Sequence, residues 1–596
     1  MKRVYKKSKI LLQMSSLLVL ALGFPLKAEN PESLADKSAR VVAKRITIQH
    51  PIEQGVSPYI QLAQQVPQAS VRAIVNYLPK ETHAGLLHFI GGLSNDEFTF
   101  QHNILAKSVF EALQKNEASP LKLFFNENQI MGRHRLLGPE LINLNRFFGD
   151  AESNYFSALE VKVKVDDAVA NSDILSRLNK SGISRLKLAM SPESDELEKA
   201  VKLSTFFQSG WDQLLELDVS RNNIGADGAT AIANSQTLKN LQSLNLGLDS
   251  IGAVGATAIA NSLTLTNLQS LNLKVNNIGA AGATAIAKSQ TLKNLHNLDL
   301  EDNNIGTAGA TAIANSQILT NLQSLILRRN NIDATGATAI ANSQSLTNLQ
   351  KLNLNFNNIG ADGTIAIANS QSLTNLQILN LDLNNIGAAG ATAIANSQTL
   401  TNLQILNLDR NDIGGAGATA IANSPTFANL QILNLFLNNI GADGATAIAN
   451  SQTLTNLHNL DLAHNNIGGA GATAIANSQT LKNLHNLDLE HNNIGADGAK
   501  AIANSQTLKN LHNLDLADNN IGTVGATAIA NSPTFANLQI LNLSLNNIRS
   551  DGAKAIANSQ TLTNLQSLIL GLNYINDAAR TFIRNSPIFL NTRIEF

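Results

Sequence analysis

The sequence predicts a curved α/β solenoid, a horseshoe with parallel strands on its concave face and short helices on its convex face. Three observations predict it. A 27-residue unit, LxxLxLxxNxIGAxGATAIANSxTLTN, recurs fourteen times without a slip, its Ile falling at Ile224, Ile251, Ile278, Ile305 and onward to Ile575. A strict period of about 20 to 50 residues marks stacked supersecondary units. Each unit joins a period-two apolar phrase to an Ala-rich one, so a strand signal is followed by a helix signal.

Within the unit, the LxL phrase, as in Leu298-Asp299-Leu300, suits a short strand with one buried face. The phrase around Ile286, AGATAIA, suits a short helix, because Ala loses no side-chain entropy and packs closely. Two turns of helix are unstable alone, and stacked neighbours supply the missing packing. Helices are wider than the spacing of paired strands, about 4.8 Å, so helices on the outside force the stack to curve. The Asn column (Asn222, Asn276, Asn303, Asn330, Asn357) has the chemistry to satisfy backbone groups in its own turn and the next. The Gly column (Gly228, Gly255, Gly282, Gly309) falls where loop meets helix and is expected to adopt a geometry closed to other residues.

The pattern resembles the leucine-rich repeats of the ribonuclease-inhibitor-like class, across residues 214–575. LxxLxLxxN is matched with departures such as Val219 for Leu and Asp249 for Asn. The GATAIAN phrase is also similar to that of bacterial plant-pathogen effectors, which pair their repeats with an F-box; none is identified in residues 29–210. The resemblance implies binding of a protein on the concave face, but a fold alone names no partner.

The remaining segments follow in order. Residues 1–28 carry Lys2, Arg3, Lys6, Lys7 and Lys9 before an apolar run from Ile10 to Phe24. That run is short of the ~20 residues a spanning helix needs, so it reads as a secretory signal peptide cleaved after Ala28; a retained anchor is the alternative. Residues 29–115 read as a helical cap or a small independent domain. Residues 116–213 read as degenerate repeats, on echoes at Leu121–Ile130, at Val161, Val163 and Val165, and at Leu186-Lys187-Leu188 before a helical stretch from Asp195 to Phe207. Residues 576–596 read as a C-terminal cap, with Phe582, Ile583, Phe589 and Leu590 covering the last apolar layer.

Composition narrows the function. Forty-three basic and 44 acidic side chains leave a net charge of -1, which gives no reason to expect a nucleic-acid partner. The absence of Cys excludes thiol catalysis and Cys-ligated metals, and an array this long needs no disulfide staples. No nucleophile elbow, phosphate loop or H-E-x-x-H motif occurs. The sequence therefore predicts no enzyme, no catalytic residue and no cofactor. A carbohydrate partner is held down by the few aromatics, 4% of residues.

Function is expected where the repeats differ. Two positions after the last strand Leu vary widely while the helix phrase barely changes. The second position runs Arg221, Leu248, Val275, Asp302, Arg329, Phe356, Leu383, Arg410, Leu437, His464, His491, Asp518, Leu545, Leu572. The fold is expected to need no particular residue there, so the variation reads as recognition, with drift as the alternative. The candidate protein-binding residues are Arg328, Arg329, Phe356, Leu383, Arg410, Phe436 and Leu437, since aromatic and Arg anchors carry much of an interface's affinity. Glu301 and Asp302 stand one repeat before the Arg pair and are placed to neutralise it. A second cluster, Asp461, Asp488 and Asp515 with His464, His491, Glu490 and Asp518, has metal-ligand residue types. It is read as a solvent-facing polar face without an enclosing shell, and no metal site is assigned.

The sequence thus predicts an exported protein, secreted or in the periplasm or cell envelope, that binds another protein, of a host or of the envelope, through its concave face, with no membrane insertion once the signal is removed. The competing readings are a structural or adhesive surface array and an intracellular effector.

Overall fold

In the computed structural model the structure describes residues 160–170, 183–208 and 210–596. The expected signal peptide at 1–28, the 29–115 segment and the Leu121–Ile130 echo lie outside these residues. The described chain falls into two compact units, one from the segments before Glu193 and from Thr205–Asp218, the other comprising Ser194–Ser204 and Val219–Phe596.

The first unit contains β1 (Glu160–Lys164), α1 (Val165–Val169), β2 (Arg185–Ala189) and β3 (Glu216–Asp218). β1 pairs parallel with β2, Val161 opposite Leu186 and Val163 opposite Leu188, and β2 pairs parallel with β3. The echoes at Val161 and Leu186 are therefore strands, although Val165 already begins a helix. Phe206 stacks on Trp211 with ring centroids 4.8 Å apart, and the Trp211 indole donates to the Phe206 carbonyl at 2.8 Å. The large amphipathic ring is thus buried with its one polar atom satisfied.

The second unit is the repeat array. Its strands run from β4 (Ser243–Asn245) to β17 (Arg593–Glu595), and each pairs parallel and in register with the next, as Leu271 with Leu298 and Leu433 with Leu460. Strands line the concave face and short helices the convex one. Each strand is three residues long and starts one residue earlier than the LxL phrase, the second Leu following the strand as a buried core residue.

The Asn column binds one repeat to the next. Asn276 Nδ2 donates to the Leu246 and Leu273 carbonyls at 2.6 and 3.0 Å. Its Oδ1 accepts from the Asp249 and Ile251 amides at 3.1 and 3.2 Å. One buried amide so satisfies four backbone groups, and the pattern recurs at Asn411, Asn465 and Asn573. A Ser column does similar work under the helices, Ser262 donating to the Ala233 carbonyl at 2.6 Å.

The Gly column has a different cause from the one expected. The left-handed glycines are those that open each helix, such as Gly252 at φ +59. Gly255 and Gly282 sit inside the helices, where a Cβ on Gly282 would lie 2.9 Å from Ile278 Cβ and 3.1 Å from Ala256 Cβ. Close approach of successive helices, not backbone geometry, keeps that column small.

The last helix, Asp577–Arg584, buries Ile583, and Phe589 beyond it is buried too. Phe582 and Leu590 are exposed, at 45% and 74%, so two of the four apolar side chains expected to seal the stack face outward. Arg580 and Arg584 instead lie over the Phe596 ring.

Candidate functional site

The two variable columns lie just past the C-terminal ends of the strands, and backbone conformation separates them. Every residue of the second column is left-handed, from φ 51 at His491 and Asp518 to φ 66 at Arg221. That region disfavours residues with a Cβ and is best tolerated by Gly, Asn and Asp. The expectation that the fold is indifferent here is corrected: it favours Gly, Asn or Asp, yet of the fourteen positions only Asp302 and Asp518 carry one of these. Two residues further on, the next left-handed column is mostly Asn, as at Asn277, Asn304 and Asn439.

The structure resolves the candidate residues into two clusters. In the first, the Arg328 and Arg329 guanidiniums stand 5.3 and 5.7 Å from the centroid of Phe356, which is 38% exposed. Arg328 pairs with Glu301 at 2.6 Å and Arg329 with Asp302 at 3.5 Å, the neutralisation anticipated from the repeat spacing. In the second, Arg410 lies 4.7 Å over the Phe436 ring and 3.7 Å from Asp382. Leu383, half-buried, lies between these repeats, and Leu437 is 46% exposed beside Phe436. Aromatic faces that hold guanidiniums in place lower the entropy such anchors lose on binding.

The cluster set aside as a separate polar face is continuous with the second group. The Phe436 ring meets His464 edge-on at 5.0 Å, His464 stacks on His491 at 4.3 Å, and His491 Nδ1 lies 2.6 Å from Asp518 Oδ2. Nor is the acidic column simply solvent-facing. Asp461, Asp488 and Asp515 are half-buried, each accepting the amide two residues on, from Ala463, Glu490 and Ala517. Burial pushes the Asp488 carboxyl up to about 7, with the Asp461 and Asp515 charges adding to it. Asp409 is also pushed up to about 7, by burial and then by Asp461. Burial raises Asp461 and Asp515 in the same direction. Oxygens of Asp488, Glu490 and Asp515 come within 4.8 Å of one another; such crowding arises without an ion and assigns none.

Sequence reasoning missed a further feature on the same array. A trough of about 880 Å³ runs along the opposite, N-terminal ends of the strands, lined by Asn and Gln from His296 to His458. Its signal was the repeated Asn-Leu-Gln or Asn-Leu-His phrase before the strands that line it. Among the described residues no helix is long and apolar enough to cross a membrane.

A family model described as a leucine-rich repeat matches residues 214–233, 264–287, 291–314, 319–341, 345–368, 372–395, 399–422, 428–449, 453–476, 480–503, 507–530 and 536–557. This is a leucine-rich-repeat protein. Its array is a non-catalytic scaffold of the kind that presents a concave face to protein ligands. Among solved structures, it is similar to a leucine-rich-repeat protein of Leptospira interrogans (20% identity, 74% of this chain and 91% of that one, TM-score 0.41). It is also similar to an internalin of Listeria monocytogenes (21% identity, 62% and 93%, TM-score 0.40) and to the yeast Rad7 and Elc1 complex (14% identity, 83% and 98%, TM-score 0.35). No curated protein matches the sequence.

Proposed function

We propose that this leucine-rich-repeat protein, of the ribonuclease-inhibitor-like class and bacterial in origin, is exported and binds another protein, of a host or of the envelope, through the variable row of its concave face. The observation that carries the reading is the left-handed column. Large side chains such as Phe356, Leu383 and Leu437 persist where the backbone favours Gly or Asn. Residues kept against the preference of their own backbone are kept for contact with something else. The Arg328–Arg329–Phe356 and Arg410–Phe436 clusters supply the anchors, and Leu383 and Leu437 the apolar area between them. On this reading residues 1–28 are the export signal, 29–115 a cap or small domain, 116–213 degenerate repeats, 214–575 the binding array and 576–596 its terminal cap.

Affinity capture from envelope extract and host-cell lysate tests it, using the protein beside an Arg329→Glu, Leu383→Glu double variant. The expected result is a saturable partner lost from the variant while its circular dichroism spectrum is unchanged. Equal capture by both proteins, or no saturable partner, contradicts the reading and favours an array whose uniform helical face packs laterally.

A further inference from the structure

The Asn and Gln trough lies at the other end of the strands from the variable row and is not explained by it. Its lining is neutral except for the two His at its ends. The Gln side chains at 350, 377 and 404 are exposed, one per repeat, and make no hydrogen bond among the described residues. Their backbones are locked in a ladder, Gln377 N donating to the Gln350 carbonyl and Gln404 N to the Gln377 carbonyl, both at 2.8 Å. The facing Asn348, Asn375 and Asn402 are each fixed by Nδ2 donating at 2.9 Å to the Thr320, Thr347 and Thr374 carbonyls. Each of these three repeats therefore presents one positioned amide oxygen and one carboxamide able to accept and donate, at identical intervals.

The interval is visible in the same column, where the His458 and His485 rings stand 5.3 Å apart and those of His485 and His512 5.1 Å. A ligand spanning the trough must repeat its polar groups at that step. An extended peptide does not, since it rises about 3.3 Å per residue and shows one face every second residue. A nucleic acid needs Lys or Arg for its phosphates, and the trough has neither. An extended β-1,4-linked glycan stays in step, because its sugars advance at close to the strand spacing; successive sugars are turned by about half a revolution, but both edges of the chain carry uncharged hydroxyls that a carboxamide can meet as donor or acceptor.

We propose that the trough binds a neutral, extended β-1,4-linked glycan, one sugar per repeat, with Gln350, Gln377 and Gln404 as its central hydrogen-bonding row. The scarcity of aromatic side chains, which spoke against a sugar partner in the sequence, removes stacking but not this readout. Affinity then grows by summing one weak contact per repeat, as multivalent contacts on a rigid array do.

Isothermal titration of the full chain with cellohexaose and chitohexaose tests the proposal, with maltohexaose, whose α-linkage curls the chain, as the out-of-step control. The expected result is binding of at least one β-linked hexamer, stronger than its trimer, and at least tenfold weaker in Gln350→Ala, Gln377→Ala, Gln404→Ala. These exposed substitutions leave the fold intact. The Arg329→Glu, Leu383→Glu variant should bind the hexamer normally, which separates this site from the protein-binding row. Binding of no β-linked hexamer, equal binding of maltohexaose, or an undiminished triple variant overturns the proposal.

Discussion

Arg329 and Asn330 are neighbours in the chain and opposites in what the structure asks of them. Asn330 is fully buried, and its amide reaches the Leu300 and Arg328 carbonyls at 2.7 and 3.0 Å. Its equivalents hardly vary. Arg329 is exposed and left-handed, and its equivalents range from Asp302 to Phe356 and Leu437. One column is written by the stack, and the other, at most of its positions, against the backbone's preference. The invariant positions carry the fold, and on the proposed function the variable ones carry whatever the protein recognises.

The largest expected effect breaks the invariant column. Asn411 donates to the Leu381, Leu408 and Asp409 carbonyls and accepts from the Asn384 and Ile386 amides. Asn411→Ala strands these buried groups, and at about 1–3 kcal/mol for a lost buried partner it should cost several kcal/mol. Urea unfolding together with amide exchange across repeats 384–438 should show the loss centred there, because a solenoid couples each repeat mainly to its neighbours. A uniform loss along the whole array would contradict the nearest-neighbour picture.

Gly282→Ala comes next. Its new Cβ meets Ile278 and Ala256 at about 3 Å, and overpacking of this kind costs about 1–3 kcal/mol. Gly252→Ala, in open space but at φ +59, should cost only about 1 kcal/mol for the left-handed backbone. Thermal midpoints of the two variants therefore separate close packing from backbone strain as the reason for the two glycine columns.

Asp488 makes the stability of the array depend on pH. Its folded-state pKa stands at about 7, well above the ordinary value near 4. Between those values the folded protein holds a proton the unfolded chain has released, so stability falls as pH rises through the window. Asp488→Asn keeps the oxygen that accepts from the Glu490 amide, as Asn272 does for Lys274, and removes the charge. It should stabilise the array at pH 8 by on the order of 1–2 kcal/mol and hardly at all near pH 3.5. Urea midpoints at the two pH values measure this, and equal effects at both would reject burial of the charged form as the cause.

The repeat made the strand, turn and helix of the array legible, because its periods of two and 3.6 and its Asn and Gly punctuation agree with one another. The Arg328–Glu301 and Arg329–Asp302 pairs were legible too, since residues 27 apart stand side by side. What was hidden depended on three-dimensional packing. The sequence gives no sign that Arg329 or Phe356 is left-handed, since neither is a residue that favours that geometry. It presents Gly255 and Gly252 alike, although one avoids a collision and the other makes a turn. Phe436 and His464 sit in one continuous ladder only because adjacent repeats bring their rings together, and the Gln trough looks in sequence like polar filler between helix and strand.

Giving the backbone what it prefers decides whether the left-handed row is kept for recognition or for the fold. In an Arg329→Asn, Leu383→Asn, Leu437→Asn variant, the thermal midpoint and capture of the protein partner are measured together. The midpoint should equal or exceed that of the parent, the gain being up to about 1 kcal/mol per residue, with capture lost. A lower midpoint with capture intact would show that these side chains serve the stack, and would contradict the account.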